Sequence, residues 1–344
     1  MILRIVKILA ASLEKQLSCH RIGDMFSRLP PAAKAAESEE VCVCALQMEL
    51  KTYSSVYAWI RSLDAVLAQA AEQGCRLVCL PEFYAMTPLL CHWTVELAAK
   101  GLALLPAGSG GSGGDLAVAP LLEPCSFLAP AYEDIICRFA RRYGIYLYGG
   151  TGLVWEEGRV FNRGFLVTPE GNVAARHDKI HLTVEEIAMG ISPGSTMQVV
   201  PTPIGNIALS VCMDATYFET FRVAKARGAD YILVPIGDMA EFDPYFALRG
   251  AQMRVNETGL TAIKPALVSA PGFPVTFSGK AGIYFPLSTG MESVEHSHPS
   301  GGGMVISRFP LSRLRDAESE LFLRTNSKFD RNYCDELIKV ANSR

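Results

Sequence analysis

Three short stretches of this 344-residue chain carry residue types that could do chemistry together. In Leu80-Pro81-Glu82-Phe83 a proline halts an apolar run, so Glu82 emerges just beyond its end. In Arg176-His177-Asp178-Lys179-Ile180-His181, Lys179 lies where an extended segment gives way to a loop. In Val211-Cys212-Met213-Asp214 an apolar run leads straight into Cys212, and a helical pattern follows within a few residues. A strand-to-helix turn exposes its residue at the top of a sheet, near the positive end of a helix. That placement can lower a thiol's pKa and make it nucleophilic. Each stretch also has an ordinary reading: a solvated glutamate, a surface lysine, a buried structural thiol.

Other chemistries fit these residues less well. His177 and His181 are four apart, but their segment reads as extended and does not match H-E-x-x-H, so no metal is expected there. The six histidines show none of the local signatures of a papain-type Cys–His pair. The remaining option is a cysteine activated by a carboxylate and steadied by a lysine, which Glu82, Lys179 and Cys212 would supply.

The elements that must position them follow a strand–helix–strand pattern. VCVCALQ (41–47) has strand length, residues 55 to 73 have helical periodicity closed by Gly74, and RLVCL (76–80) is the next buried strand. A second helix over 130–143 ends at Gly144, strands follow over 145–151 and 160–168, and 169–172 turns into another strand. IALSV (207–211), a helix over 217–227 and YILVP (231–235) repeat the βαβ style. Further strands are expected near 261–269, 281–285 and 303–307, and the charged tail (311–344) ends in a helix. Each of the three chemical residues therefore stands at the end of a separate strand, where one crevice could collect them.

Composition narrows the function class. With 32 basic and 35 acidic side chains the chain lacks the basic balance of a nucleic-acid binder, and no apolar run reaches the ~18–20 residues of a membrane span. Ten cysteines without a C-x-x-C fit a reducing, cytoplasmic setting in which nine act as packing residues. Arg4 and Lys7 interrupt the first apolar run, so residues 2–18 read as an amphipathic helix rather than a secretory signal. It is expected to dock on the body or on a second subunit, with membrane-surface contact as the minority reading. Residues 27–40 read as a linker, and GSGGSGG (108–114) as a mobile loop without the G-K-[ST] of a phosphate-binding loop. Residues 1–40 are thus an extension, and 41–344 a single large domain.

From about residue 41 to 340 the chain resembles the nitrilase superfamily of carbon–nitrogen hydrolases. The resemblance rests on GCRLVCLPEF around Glu82, HDKIHL around Lys179, GNIALSVCMDATYFE around Cys212 followed by RGADYILVP, and the downstream MRVNET. It implies an α/β fold, a four-layer αββα sandwich, paired as a homodimer through the region around the cysteine helix. It casts Cys212 as nucleophile, Glu82 as general base, and Lys179 with the Met213 backbone N–H as the oxyanion site. A second active-site glutamate falls on Glu186, with Glu185 as the close alternative, and Glu257 takes a supporting position. Tyr84, Met213, Ile236, Gly237 and Asp238 are expected to line the pocket. No metal or organic cofactor is required, and the expected partner is a small amide or nitrile. The chain departs from the family pattern at Met213, where an aromatic residue is usual, at Ala281, where serine is usual, and in the 108–114 insertion. The Cys-Met-Asp ending is more like amidase-type members, so the expected activity is amide hydrolysis through a thioester. Nitrilase, N-carbamoyl hydrolase and acyl transferase activities, or a catalytically silent binding protein on the same fold, are the alternatives.

Overall fold

The computed structural model describes residues 10–36, 38–91, 126–244 and 251–316. The glycine-rich run 108–114, residues 2–9 and the tail beyond 316 lie outside the described residues. Near the N-terminus, residues 10–16 are helical and a second helix, α1 (Cys19–Ser27), follows where no separate helix was expected. Leu13, Leu17 and Ile22 are buried in the first of two hydrophobic cores.

The chain then lays down β1 (Glu40–Leu50), helix α2 (Val56–Glu72), β2 (Leu77–Cys79), helix α3 (Leu128–Tyr143), β3 (Tyr146–Glu156), β4 (Arg159–Val167) and β5 (Val173–Asp178). Ser55 caps α2 by accepting from the Ala58 N–H at 3.1 Å. After the short helix α4 (Val184–Ala188) come β6 (Val199–Val200), β7 (Ile207–Leu209), helix α5 (Phe218–Ala226), β8 (Tyr231–Leu233), helix α6 (Ala251–Thr258) and β9 (Thr261–Lys264). Strands β10 (Ala266–Ser269), β11 (Gly282–Tyr284), β12 (Val294–Glu295) and β13 (Gly303–Pro310) complete the order.

These strands make two sheets. The first runs β10-β1-β2-β3-β4-β5, with β13 antiparallel to β1 on the edge it shares with β10; the second runs β12-β11-β9-β8-β7-β6. In β1, Cys42, Cys44 and Leu46 face the helices α2 and α3, while Val41, Val43 and Ala45 face the second sheet. Both faces are buried, which is why its sequence reads as a continuous apolar run rather than an alternation. The second core joins the inner faces of both sheets to Phe221 and Ala224 of α5 and Val255 of α6. The result is a mixed α/β, helix–sheet–sheet–helix architecture.

One departure bears on the site. The run 261–269, expected as one strand, is split at Pro265, which cannot donate to a ladder. The chain leaves the second sheet at Lys264 and joins the first at Ala266. Among the described residues no helix is long and apolar enough to cross a membrane.

Candidate active site

Glu82, Lys179 and Cys212 each lie just past the C-terminal end of a strand, after β2, β5 and β7 respectively. Glu82 is held by a turn in which Phe83 has φ 61. Gly150, at φ +69, lets β3 approach that turn, since a Cβ there would sit 2.3 Å from the Pro81 carbonyl oxygen. Thr151 closes the approach by accepting from the Phe83 N–H at 3.0 Å.

The buried polar groups form a closed ring. The Lys179 ammonium donates to Glu82 Oε1 at 2.9 Å and pairs with Glu186 Oε2 at 2.8 Å. Asn162 of β4 donates its amide to the same two carboxylates, to Glu82 Oε1 and Glu186 Oε1, each at 2.9 Å. Glu186 is fixed from behind by a capping box: its Oε2 accepts from the Thr183 N–H, and its own N–H donates to Thr183 Oγ1. All four residues are at most 2% exposed. Burial, reinforced by Glu186, pushes the Glu82 carboxyl up to about 7 against the opposing pull of Lys179. Burial alone would depress Lys179, but Glu82, Cys212 and Glu186 together hold its ammonium above the ordinary lysine value.

Cys212 begins a short 3₁₀ turn, Cys212–Thr216, with φ 42, a strained value for a residue with a side chain. The turn is over-determined by Asp214. Its Oδ2 accepts from the Val211 N–H at 2.9 Å, and its Oδ1 accepts from the N–H groups of Ile180 and His181 at 3.2 and 2.7 Å. The rings of His177 and His181 also face it, at 3.4 and 2.9 Å. One fully buried carboxylate thus clamps the cysteine turn to the segment carrying Lys179. Burial opposes its ionisation, but these contacts win and hold it at about 2. The i, i+4 histidines serve this clamp.

The Cys212 thiol is only partly buried and opens on a cavity of about 390 Å³. Desolvation and the nearby Glu82 push its pKa well above the ordinary thiol value, while Lys179 and the Gly237 N–H favour the thiolate. Its Sγ lies 3.6 Å from Asp238 Oδ1. Glu82 Oε2, which takes no part in the ring, faces Gly237: a Cβ on that glycine would sit 3.4 Å from it.

Met213, Ile236 and Asp238 line the cavity, and Gly237 runs between Glu82 and Cys212. Of the two neighbouring glutamates, Glu186 joins the ring and Glu185 is exposed. Tyr84, expected in the pocket, is instead fully buried in the core with α2 and α3. The positive φ at Phe83 reverses the chain, so Phe83 approaches Gly237 and Phe277 in its place. Glu257, expected to support the site, stands 45% exposed in an ion pair with Arg254, which in turn donates to the Thr216 carbonyl of the cysteine turn. Asn162, Asp214 and Lys264 are the residues the sequence reading missed. Each left a trace, as a polar residue inside an apolar strand run or an acid at the third helical position.

Comparison with known proteins bears on this geometry. Residues 42–253 match the family described as carbon-nitrogen hydrolase. A probable hydrolase of Bacillus subtilis is 26% identical over 196 residues, covering 57% of this chain and 34% of its own length. An omega-amidase of Xenopus laevis is 22% identical over 178 residues, 49% of this chain and 54% of its own. The chain spans about a third to a half of the length of the curated relatives it matches. Among solved structures, a nitrilase-superfamily amidase from Nesterenkonia superposes with a TM-score of 0.60 at 19% identity, covering 83% of this chain and 97% of that one. A variant of the same amidase in complex with acrylamide superposes at 0.61, with 84% and 98% covered and 19% identity.

Proposed function

The chain belongs to the carbon–nitrogen hydrolase family, and from that membership we propose that it is an amidase working through Cys212, Glu82 and Lys179. One observation carries the reading: a closed ring of buried polar side chains, Glu82, Lys179, Glu186 and Asn162, beside a thiol held at a strained turn. Such a ring is costly to bury, and its role is preorganisation.

The steps follow from the geometry. Glu82 takes the Cys212 proton as the sulfur attacks the amide carbon, because a free thiolate is unfavourable at this desolvated position. The carbonyl oxygen becomes an oxyanion held by the Lys179 ammonium and the Met213 N–H, a kind of donor worth ~3–4 kcal/mol in comparable sites. Glu82, now protonated, returns the proton to the departing nitrogen, which leaves as ammonia or an amine. Water then attacks the thioester with Glu82 as base, releasing the carboxylate and restoring the thiol. Glu186 and Asn162 touch no reacting atom in this scheme. They are positioning residues that keep Glu82 Oε1 and Lys179 fixed, leaving Glu82 Oε2 for the proton.

Structural relatives have been captured with acrylamide and butyramide, so short primary amides are suitable first probes. Cys212→Ala is expected to abolish ammonia release from them while retaining the wild-type circular dichroism spectrum. Full activity in that variant would sink the mechanism. Incubation with an electrophilic amide should place one adduct on Cys212, located by mass spectrometry of the digested protein.

A further inference from the structure

The cavity beside Cys212 holds a second buried lysine that the mechanism leaves unused. Lys264, the last residue of β9, is 5% exposed and its side chain lines the cavity. An ammonium carries three donors. Among the described residues the only carboxylate within 4 Å is Glu295, whose Oε1 is 3.9 Å away, beyond hydrogen-bond distance. That same oxygen already accepts the Tyr284 hydroxyl. The Tyr284 ring, 4.7 Å from Nζ, supplies a cation–π contact but no anion. Burial pushes the Lys264 ammonium below its ordinary value, although Glu295, Asp238 and Cys212 pull it back up. A buried cation with unmet donors is expensive in an empty site and is satisfied when an anion arrives.

We propose that Lys264 is a specificity-determining residue that binds a carboxylate at the far end of the substrate, so that the preferred substrates are monoamides bearing a free carboxylate. The proposal rests on the amidase reading of Cys212. The remaining lining suits such a molecule. Val234, Ile236 and Ala251 offer apolar wall for a short methylene chain between the two ends. Asp238 and Glu241 also face the cavity, and their negative charge disfavours a dianion such as phosphate. Lys280 also lines the cavity, but it is only half-buried and lies 5.6 Å from the Phe242 ring, so Lys264 is the buried cation, and with Asp238, Glu241 and Asp243 around it the cavity fits a single carboxylate. Lys264 is placed for this by Pro265: the strand ends there, and Lys264 lines the cavity at the point where the chain leaves the second sheet for the first.

The test compares succinamate, glutaramate and adipamate with butyramide and valeramide. The wild-type protein is expected to prefer one of the charged amides in kcat/KM. In Lys264→Met the ratio of charged to neutral kcat/KM should fall roughly 50-fold or more, and Lys264→Arg should restore part of it. No preference in the wild type, or an equal fall for both amides, overturns the proposal. Calorimetric titration with the matching dicarboxylates provides a readout that needs no turnover. If no amide is hydrolysed, the amidase reading fails, and titration still decides. Dicarboxylate binding that is lost in Lys264→Met upholds the role of Lys264, whereas absent or equal binding refutes it.

Discussion

Two buried lysines flank Cys212, and the structure treats them in opposite ways. Lys179 meets Glu82 and Glu186 at 2.9 and 2.8 Å, and its ammonium is held above the ordinary value. Lys264 has one carboxylate at 3.9 Å, and its ammonium is held below that value. Residue type and burial are nearly the same, at 2% and 5% exposure. Burial penalises both; the number and distance of carboxylates decide the sign. Lys179 sits in a closed network that holds it between two carboxylates, which suits a group that must hold still while charge develops nearby. Among the described residues Lys264 has no carboxylate within hydrogen-bond distance, which suits a group whose partner comes and goes with each turnover.

The largest test of this contrast removes each cation in turn. Lys179→Met would leave Glu82 and Glu186 as facing buried carboxylates joined only through Asn162. Breaking a buried pair from one side costs about 3–5 kcal/mol, so a marked drop in the urea midpoint is expected. Loss of an oxyanion donor should also lower kcat by on the order of 10³-fold. Lys264→Met removes a poorly compensated charge instead, and its stability is expected to stay within about 1 kcal/mol of wild type or to rise. Equal losses in the two variants would erase the distinction.

The second test is pH. Folding raises the Glu82 carboxyl from an unfolded value of ~4.3 to about 7. Between these values the folded chain binds the extra proton, so this group's contribution falls as pH rises through the window. Asp214 does the reverse. Folding lowers it to about 2, so its contribution is complete above ~pH 4 and is lost as pH falls toward ~2. Urea midpoints measured across pH should show both limbs, and Glu82→Gln should flatten only the upper one. In the proposed mechanism Glu82 acts as a base, so kcat/KM should climb with pH and level off past about 7. That apparent value belongs to the coupled Glu82–Lys179–Glu186 set. Glu186→Gln should therefore move it, and Glu295→Gln, beside Lys264 and Tyr284, should not.

The sequence exposes the closed wall far better than the open one, for a physical reason. Glu82 and Cys212 each follow an apolar run and Lys179 follows an extended segment, and strand ends are where sheets present their chemistry. The βαβ order follows from the same kind of runs, whereas the sandwich is what the resemblance to the nitrilase superfamily implies. Asn162 is harder to find because a single amide inside β4 interrupts an apolar run only briefly, and its importance appears once Glu82 and Glu186 are known to converge on it. The positive φ values at Phe83 and Cys212 have no glycine to announce them, which is why Tyr84 was expected where Phe83 stands. Helix α1 carried a weak signal, Ile22, Met25 and Phe26 at helical spacing within an otherwise polar stretch. Lys264 lies inside the run TAIKPALVS, and only the switch between sheets at Pro265 explains a charge there.

The smallest expected effect is the sharpest probe of the open wall. Glu295→Gln removes the carboxylate 3.9 Å from Lys264 but keeps an oxygen to accept the Tyr284 hydroxyl. The pair is long and its glutamate is 42% exposed, so its loss should change stability by less than about 0.5 kcal/mol. Glu186→Gln, made at 2.8 Å inside the ring, should cost several times more by the same urea measurement. If Glu295→Gln proved as damaging as Glu186→Gln, Lys264 would be a structural ion-pair partner rather than a waiting ligand. Its unmet donors would then say nothing about substrate. A near-neutral outcome leaves Lys264 stable without a close protein anion, as a residue that recognises a carboxylate on an incoming amide must be.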